Sequence, residues 1–160
     1  ALFPRRLRDR FVMIGRHDAE SLFLLESDRL DHWEDSRPLW TPQLPWEAVQ
    51  MGNCGSPIET AQGWLLLTHG VGPLRRYCIG ALLLDLEDPG VVRGVLEEPL
   101  LEPQQDEREG YVPNVVYSCG GLVHGPNLIL PYGAADVITR VAVVPLAEVL
   151  AAMKPWKAGR

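Results

Sequence analysis

Three acidic residues and one histidine stand where this sequence could do chemistry. Glu59 lies in Gly55-Ser56-Pro57-Ile58-Glu59-Thr60, just ahead of the apolar run that opens at Trp64. Glu107 lies in Asp106-Glu107-Arg108-Glu109-Gly110, just ahead of Tyr111, and Asp136 follows Tyr132-Gly133-Ala134-Ala135. Each alone reads as a solvated loop charge or a cap. Together, beside Tyr, Trp and Arg, they are the equipment of a sugar site. Aromatic faces stack on pyranose rings, Arg and Asp bind hydroxyls, and a carboxylate pair performs glycoside chemistry. His69 ends the apolar segment Trp64-Leu65-Leu66-Leu67-Thr68 and precedes Gly70; a hydrogen-bonded core histidine competes with a functional one there. His17, His32, His69 and His124 form no HxxxH spacing, so no metal site is expected. The glycines form neither GxSxG, nor GxGxxG, nor a P-loop, so no nucleophile elbow, nucleotide or other cofactor is expected.

The elements that must carry these residues read as strands. Short apolar runs punctuated by turn residues cover 11–14, 21–25, 64–68, 77–84, 91–96, 114–118, 128–132 and 139–144. Arg8-Asp9-Arg10, Ala61-Gln62-Gly63, Glu87-Asp88-Pro89-Gly90 and His124-Gly125-Pro126-Asn127 supply the turns. Pro38–Pro45 reads as a loop, Pro145–Met153 as a short helix, and 154–160 as a frayed tail behind one unit of residues 1–153. A weak repeat is visible: the segments opening at Phe11, Trp64 and Leu128 each run from a turn through four mostly apolar residues to a polar end near Arg16, His69 and Gly133. A repeat of strands at this spacing suggests propeller blades, about three of them. A closed propeller takes four to eight, so the chain reads as part of a larger ring.

Composition narrows the partners. With 15 basic and 21 acidic residues among 160 the formal charge is −6, and there is no basic stripe, so neither nucleic acid nor an anionic membrane is expected as a partner. No apolar run approaches the length of a membrane span. Three cysteines without a CxxC read as buried thiols of a cytoplasmic protein. The sequence opens on Ala1 rather than Met, so a missing signal peptide says little.

Several phrases resemble family 130 of the glycoside hydrolases, which contains β-mannoside phosphorylases and β-mannosidases. They are Ala1-Leu2-Phe3-Pro4, Gly63-Trp64-Leu65-Leu66 with Thr68-His69-Gly70-Val71, Tyr77 with Ile79-Gly80-Ala81, Leu84-Asp85-Leu86 with Asp88-Pro89, Val112-Pro113-Asn114-Val115-Val116, Cys119-Gly120 and Tyr132-Gly133-Ala134-Ala135-Asp136. The resemblance runs from Ala1 to about Met153. It implies an all-β fold, part of a five-bladed propeller, with the chain as the C-terminal half of a member. The family's proton donor, an Asp of the N-terminal half, would then lie upstream of Ala1. The resemblance also implies that Arg16 and His69 bind phosphate in a phosphorylase and that Tyr77, Tyr117 and Asp136 belong to the sugar pocket. Where phosphorylases show Ile-Lys-Thr, this sequence has Ile58-Glu59-Thr60. A negative charge there would oppose a dianion by several kcal/mol, about 4 per contact at an effective dielectric of ~20.

On that departure the first expectation is an inverting β-mannosidase acting on mannose-containing oligosaccharides, β-1,2-linked ones foremost, in which Glu59 and Glu107 activate water. The alternatives are a β-mannoside phosphorylase with inorganic phosphate as co-substrate, and a propeller that binds glycans without cleaving them. The chain alone is expected to be inactive, and a homo-oligomer is compatible with the resemblance, since such enzymes can borrow loops from neighbouring subunits.

Overall fold

The computed structural model describes residues 1–33 and 35–156. The first sheet is antiparallel and holds β1 (Phe11–Gly15), β2 (Leu22–Ser27) and β3 (Asp35–Trp40), in that order; a bridge from Leu2 to Met13 adds a short pairing ahead of β1. The second sheet holds β4 (Gln50–Asn53), β5 (Ile58–Thr60), β6 (Gly63–Val71), β7 (Tyr77–Leu84) and β8 (Val92–Val95). β4 and β5 both pair with β6, one at each of its ends. The third sheet holds β9 (Val116–Tyr117), β10 (Leu122–His124), β11 (Asn127–Ala134) and β12 (Ile138–Pro145), with β9 and β10 both on β11. A short helix, α1 (Leu146–Ala152), follows, and β13 (Lys154–Pro155) returns to the second sheet beside β8.

The expected all-β fold with one short C-terminal helix is what forms, but the sheets have three, six and four strands rather than four each. The repeat is structural: β1, β6 and β11 are the strands that receive each sheet's short first pairing segment. Two local expectations fail. β3 runs through Pro38 instead of a loop, which is tolerated because β3 is an edge strand and proline costs it no ladder bond on the open side. The stretch expected as a tail is held by β13 and by Trp156, whose ring packs edge-on against Trp40 at 4.7 Å; residues 157–160 lie outside the described ones.

The core consists of two apolar layers divided by the second sheet. One contains Val12, Ile14, Leu22 and Leu24 of the first sheet against Trp64, Leu66, Leu82 and Leu84 of the second. The other contains Leu65, Leu67, Ile79 and Ala81 against Val116, Leu128, Leu130 and Tyr132 of the third. Alternate residues of β6 therefore enter opposite layers, and all nine of its residues are buried. This explains why its sequence is continuously apolar instead of alternating. Trp64 anchors the first layer, with Phe3 edge-on at 5.1 Å and its indole N–H donated to the Leu86 carbonyl. The outer face of the third sheet is open: Leu122, Val141 and Val143 stand exposed there, with the half-buried Ile129 between them.

Leu66→Ala should cost about 2–5 kcal/mol in urea unfolding, as a cavity in the first layer. Val143→Ser on the open face should stay within about 0.5 kcal/mol. Equal losses at both sites would mean that the open face is covered in solution.

Candidate functional site

Neighbouring strands converge on His69, third from the end of β6. It pairs with Gly52 of β4 and Ile79 of β7. A side chain on residue 52 would place its Cβ 2.4 Å from His69 Cε1, so only glycine leaves room for the ring. The Tyr77 ring stacks at 6.3 Å and 16°, and the Tyr117 ring tilts against it at 5.0 Å. Gln50 on β4 reaches the Tyr77 hydroxyl at 3.5 Å. Cys54 Sγ lies 3.9 Å from His69 Nδ1.

Burial, reinforced by the nearby Arg16 guanidinium, depresses the His69 pKa to about 4, so the ring is neutral at pH 7. Burial pushes the Cys54 thiol up to about 12, so it stays protonated. Tyr117 is raised by desolvation, despite being partly exposed. Arg16, at the end of β1, is then the pocket's cation. One of its Nη atoms donates to the Ala19 carbonyl, and its Nε is buried without a hydrogen-bond partner. No ion pair to Arg16 occurs among the described residues. The only other such buried atom among them, Arg10 Nε, lies 3.4 Å from Asp28. A guanidinium with no ion-pair partner among the described residues, near a neutral imidazole and two phenols, has the chemistry to meet a hydroxyl-bearing or anionic ligand.

The other expected residues are placed differently. Glu59 pairs with Trp64 at the opposite end of β6, five residues or about 17 Å along the strand from His69. It is exposed and accepts two bonds from Arg5, at 2.9 and 2.7 Å, which hold its carboxyl below the usual range. Arg5 in turn lies over the Trp64 ring at 5.0 Å. At more than a Debye length, Glu59 stands apart from the residues around His69, and its charge is screened from them. Glu107 is buried at 1% exposure. It accepts from Tyr132 Oη (2.9 Å), Arg140 Nη1 (2.9 Å) and the Gln104 N–H (3.0 Å), so both of its oxygens are engaged by groups of the chain. Asp136 is exposed in the β11–β12 turn with φ +56°, at the same end of the sheet as Tyr117 but at the hairpin tip. Of the three cysteines expected to be buried, Cys119 is exposed.

Cys54 is buried as expected, but no expectation from the sequence tied it or Gly52 to His69. The available signal was the repeated Cys-Gly pair, Cys54-Gly55 and Cys119-Gly120. The two turns touch: a Cβ on Gly55 (φ +74°) would lie 2.5 Å from the Cys119 carbonyl oxygen. Each interrupts the first strand of its sheet, between β4 and β5 and between β9 and β10.

Two outcomes are expected. Glu59→Gln should shift the melting temperature by no more than about 4 °C, as an exposed pair; a larger loss would give Glu59 a structural role beyond Arg5. For His69, the unfolded chain binds the proton with pKa near 6.5 and the native chain near 4, so the unfolded state holds more protons between those values. Stability should fall by about 3 kcal/mol as the pH drops through that window. His69→Gln should remove this part of the slope in urea melts; an unchanged slope would place the proton uptake elsewhere.

The sequence profile described as β-1,4-mannooligosaccharide phosphorylase matches residues 1–155. A 1,2-β-oligomannan phosphorylase of Thermoanaerobacter sp. (strain X514) is 39% identical over 152 residues, covering 93% of this chain and 51% of the relative. A β-1,2-mannobiose phosphorylase of Listeria innocua is 31% identical over 156 residues, covering 93% of this chain and 44% of its own length. The solved structure of a Listeria innocua β-1,2-mannobiose phosphorylase, in complex with β-1,2-mannobiose, superposes with a TM-score of 0.86 at 30% identity, covering 95% of this chain and 45% of that one. A glycosyl hydrolase structure from Bacteroides ovatus follows at 0.75 and 26%, covering 96% and 46%. The chain spans about half the length of these relatives, and across nearly all of its own length it belongs to glycoside hydrolase family 130.

Proposed function

We propose that the chain is the phosphate-holding half of a β-mannoside phosphorylase, its three sheets being successive blades of the family's five-bladed ring. The observation that carries this is Arg16: its positive charge is felt at His69 and Tyr117, and no carboxylate is paired to it among the described residues. The hydrolytic reading relied on Glu59 and Glu107; the pairing of Glu59 with Arg5 and of Glu107 with Tyr132 and Arg140 supports the phosphorylase reading over it. The relatives named above as phosphorylases support the same choice.

In this reading inorganic phosphate sits against Arg16 and His69, and a terminal β-linked mannose lies beyond it against Tyr77 and Tyr117, with Asp136 at the rim. His69 acts as a neutral donor. With the Cys54 thiol protonated 3.9 Å from Nδ1, the tautomer that carries its proton on Nε2 accepts from the thiol and donates to a phosphate oxygen. A neutral donor binds phosphate without the cost of burying a second cation. A phosphate oxygen forms the new bond to the anomeric carbon on the face opposite the glycosidic oxygen. The old carbon–oxygen bond breaks, and the leaving oxygen takes a proton from an acid carried by the other half of the ring. The products are a mannosyl phosphate of inverted configuration and a shortened oligosaccharide.

Phosphate binding should be visible in this chain as a rise in melting temperature with inorganic phosphate, worth about 2.7 kcal/mol at a hundredfold excess over Kd. Arg16→Gln should abolish the rise, and the chain alone should not turn over β-1,2-mannobiose with or without phosphate. A phosphate response that survives Arg16→Gln would refute the assignment, and hydrolysis by the isolated chain would return the hydrolase reading.

A further inference from the structure

Two buried carboxylates outside the pocket follow one plan. Glu47 and Glu107 each close a one-turn 3-10 helix, Pro45–Glu47 and Gln105–Glu107, in the segment leading from one sheet to the next. Each is 1% exposed. Each carboxylate accepts the backbone N–H three residues before it, from Leu44 at 3.2 Å and from Gln104 at 3.0 Å. Each also takes a donor from the polar tip of a buried aromatic side chain: Trp40 Nε1 at 3.0 Å, at the end of β3, and Tyr132 Oη at 2.9 Å, on β11. The Gln43 N–H completes the first set and the Arg140 guanidinium the second.

Each carboxylate stands just ahead of a wall of the His69 pocket. Beyond Glu47, Val49 bonds to the Val71 carbonyl and β4 carries Gly52 under the His69 ring. The Glu47 Cβ and the Trp46 ring lie where a side chain on Gly70, the residue after His69, would otherwise project. Beyond Glu107, the Asn114 carbonyl accepts the Tyr77 N–H, Val115 bridges Tyr77, and β9 presents Tyr117 to His69. One carboxylate thus secures the glycine wall and the other the tyrosine wall.

We infer that Glu47 and Glu107 are paired positioning residues that hold the two walls of the His69 pocket in register across the seams between consecutive sheets. The inference deepens the proposed phosphate pocket and rests on it only for the phosphate arm of the test. A carboxylate that merely stabilised the fold would lower the melting temperature without altering the surroundings of His69. A positioning carboxylate controls whether His69 stays enclosed among Arg16, Cys54, Tyr77 and Tyr117.

The test is proton NMR of the histidine rings in this chain, with His69 assigned by its loss in His69→Gln, read at about pH 5.5, between the native and ordinary values. His69 should be neutral in the unmodified chain. In Glu47→Gln and in Glu107→Gln its midpoint should rise by roughly one unit or more, and the phosphate-induced rise in melting temperature should be lost. Leu84→Val, in the first core layer near the opposite end of β6, is the control: it should lower stability while His69 stays neutral and phosphate still acts. If either Gln variant does not fold, Trp40→Phe and Tyr132→Phe, which remove one donor each, are read in the same way. Variants that lose stability yet keep His69 neutral overturn the inference. If His69 responds as expected while no form of the chain responds to phosphate, the positioning role holds and the phosphate reading falls.

Discussion

The fold depends on burying β6 on both faces at once. Its residues enter two apolar layers alternately, Trp64 and Leu66 on one side and Leu65 and Leu67 on the other. A strand enclosed in this way is dry along its length, so whatever stands at its far end inherits a low dielectric. His69 stands there, and burial is the largest cause of its depressed pKa. The same desolvation keeps Cys54 a thiol. The chemical character of the pocket is therefore a consequence of core packing rather than of a dedicated cluster of charged groups.

Within that enclosure the arrangement of charge is sparse. Arg16 follows β1 of the first sheet, His69 lies in the second and Tyr117 in the third, so the cluster is assembled from all three sheets. The carboxylates nearest in kind are kept out of it in two ways. Glu59 is neutralised at the surface by a bidentate guanidinium, and Glu107 is drawn into a buried seam where three donors saturate it. Neither carboxylate pairs with Arg16.

Long strands were legible in the sequence because their apolar content is their own. The limits 77–84 coincide with β7, and the runs at Phe11, Trp64 and Leu128 became the equivalent strands β1, β6 and β11. Short strands were not legible. β4, β5 and β10 have three or four residues each and carry little apolar pattern, and they exist because β6 and β11 offer open ladders to pair with. β13 is the same case, two residues recruited by the edge of β8.

For the site the division is sharper. Residue phrases carried by themselves the family and the all-β class, and the candidates Arg16, His69, Tyr77 and Tyr117 came from the resemblance those phrases support. The fate of the acids could not be read locally. Glu59 and Glu107 occupy look-alike places, each in a turn-rich segment ahead of a strand. What separates them is Arg5, distant in sequence, for one, and Tyr132 with Arg140 for the other. Whether a carboxylate is exposed and paired, buried and saturated, or free to act depends on which donors the folded chain brings within about 3 Å of it, and only the tertiary structure decides that.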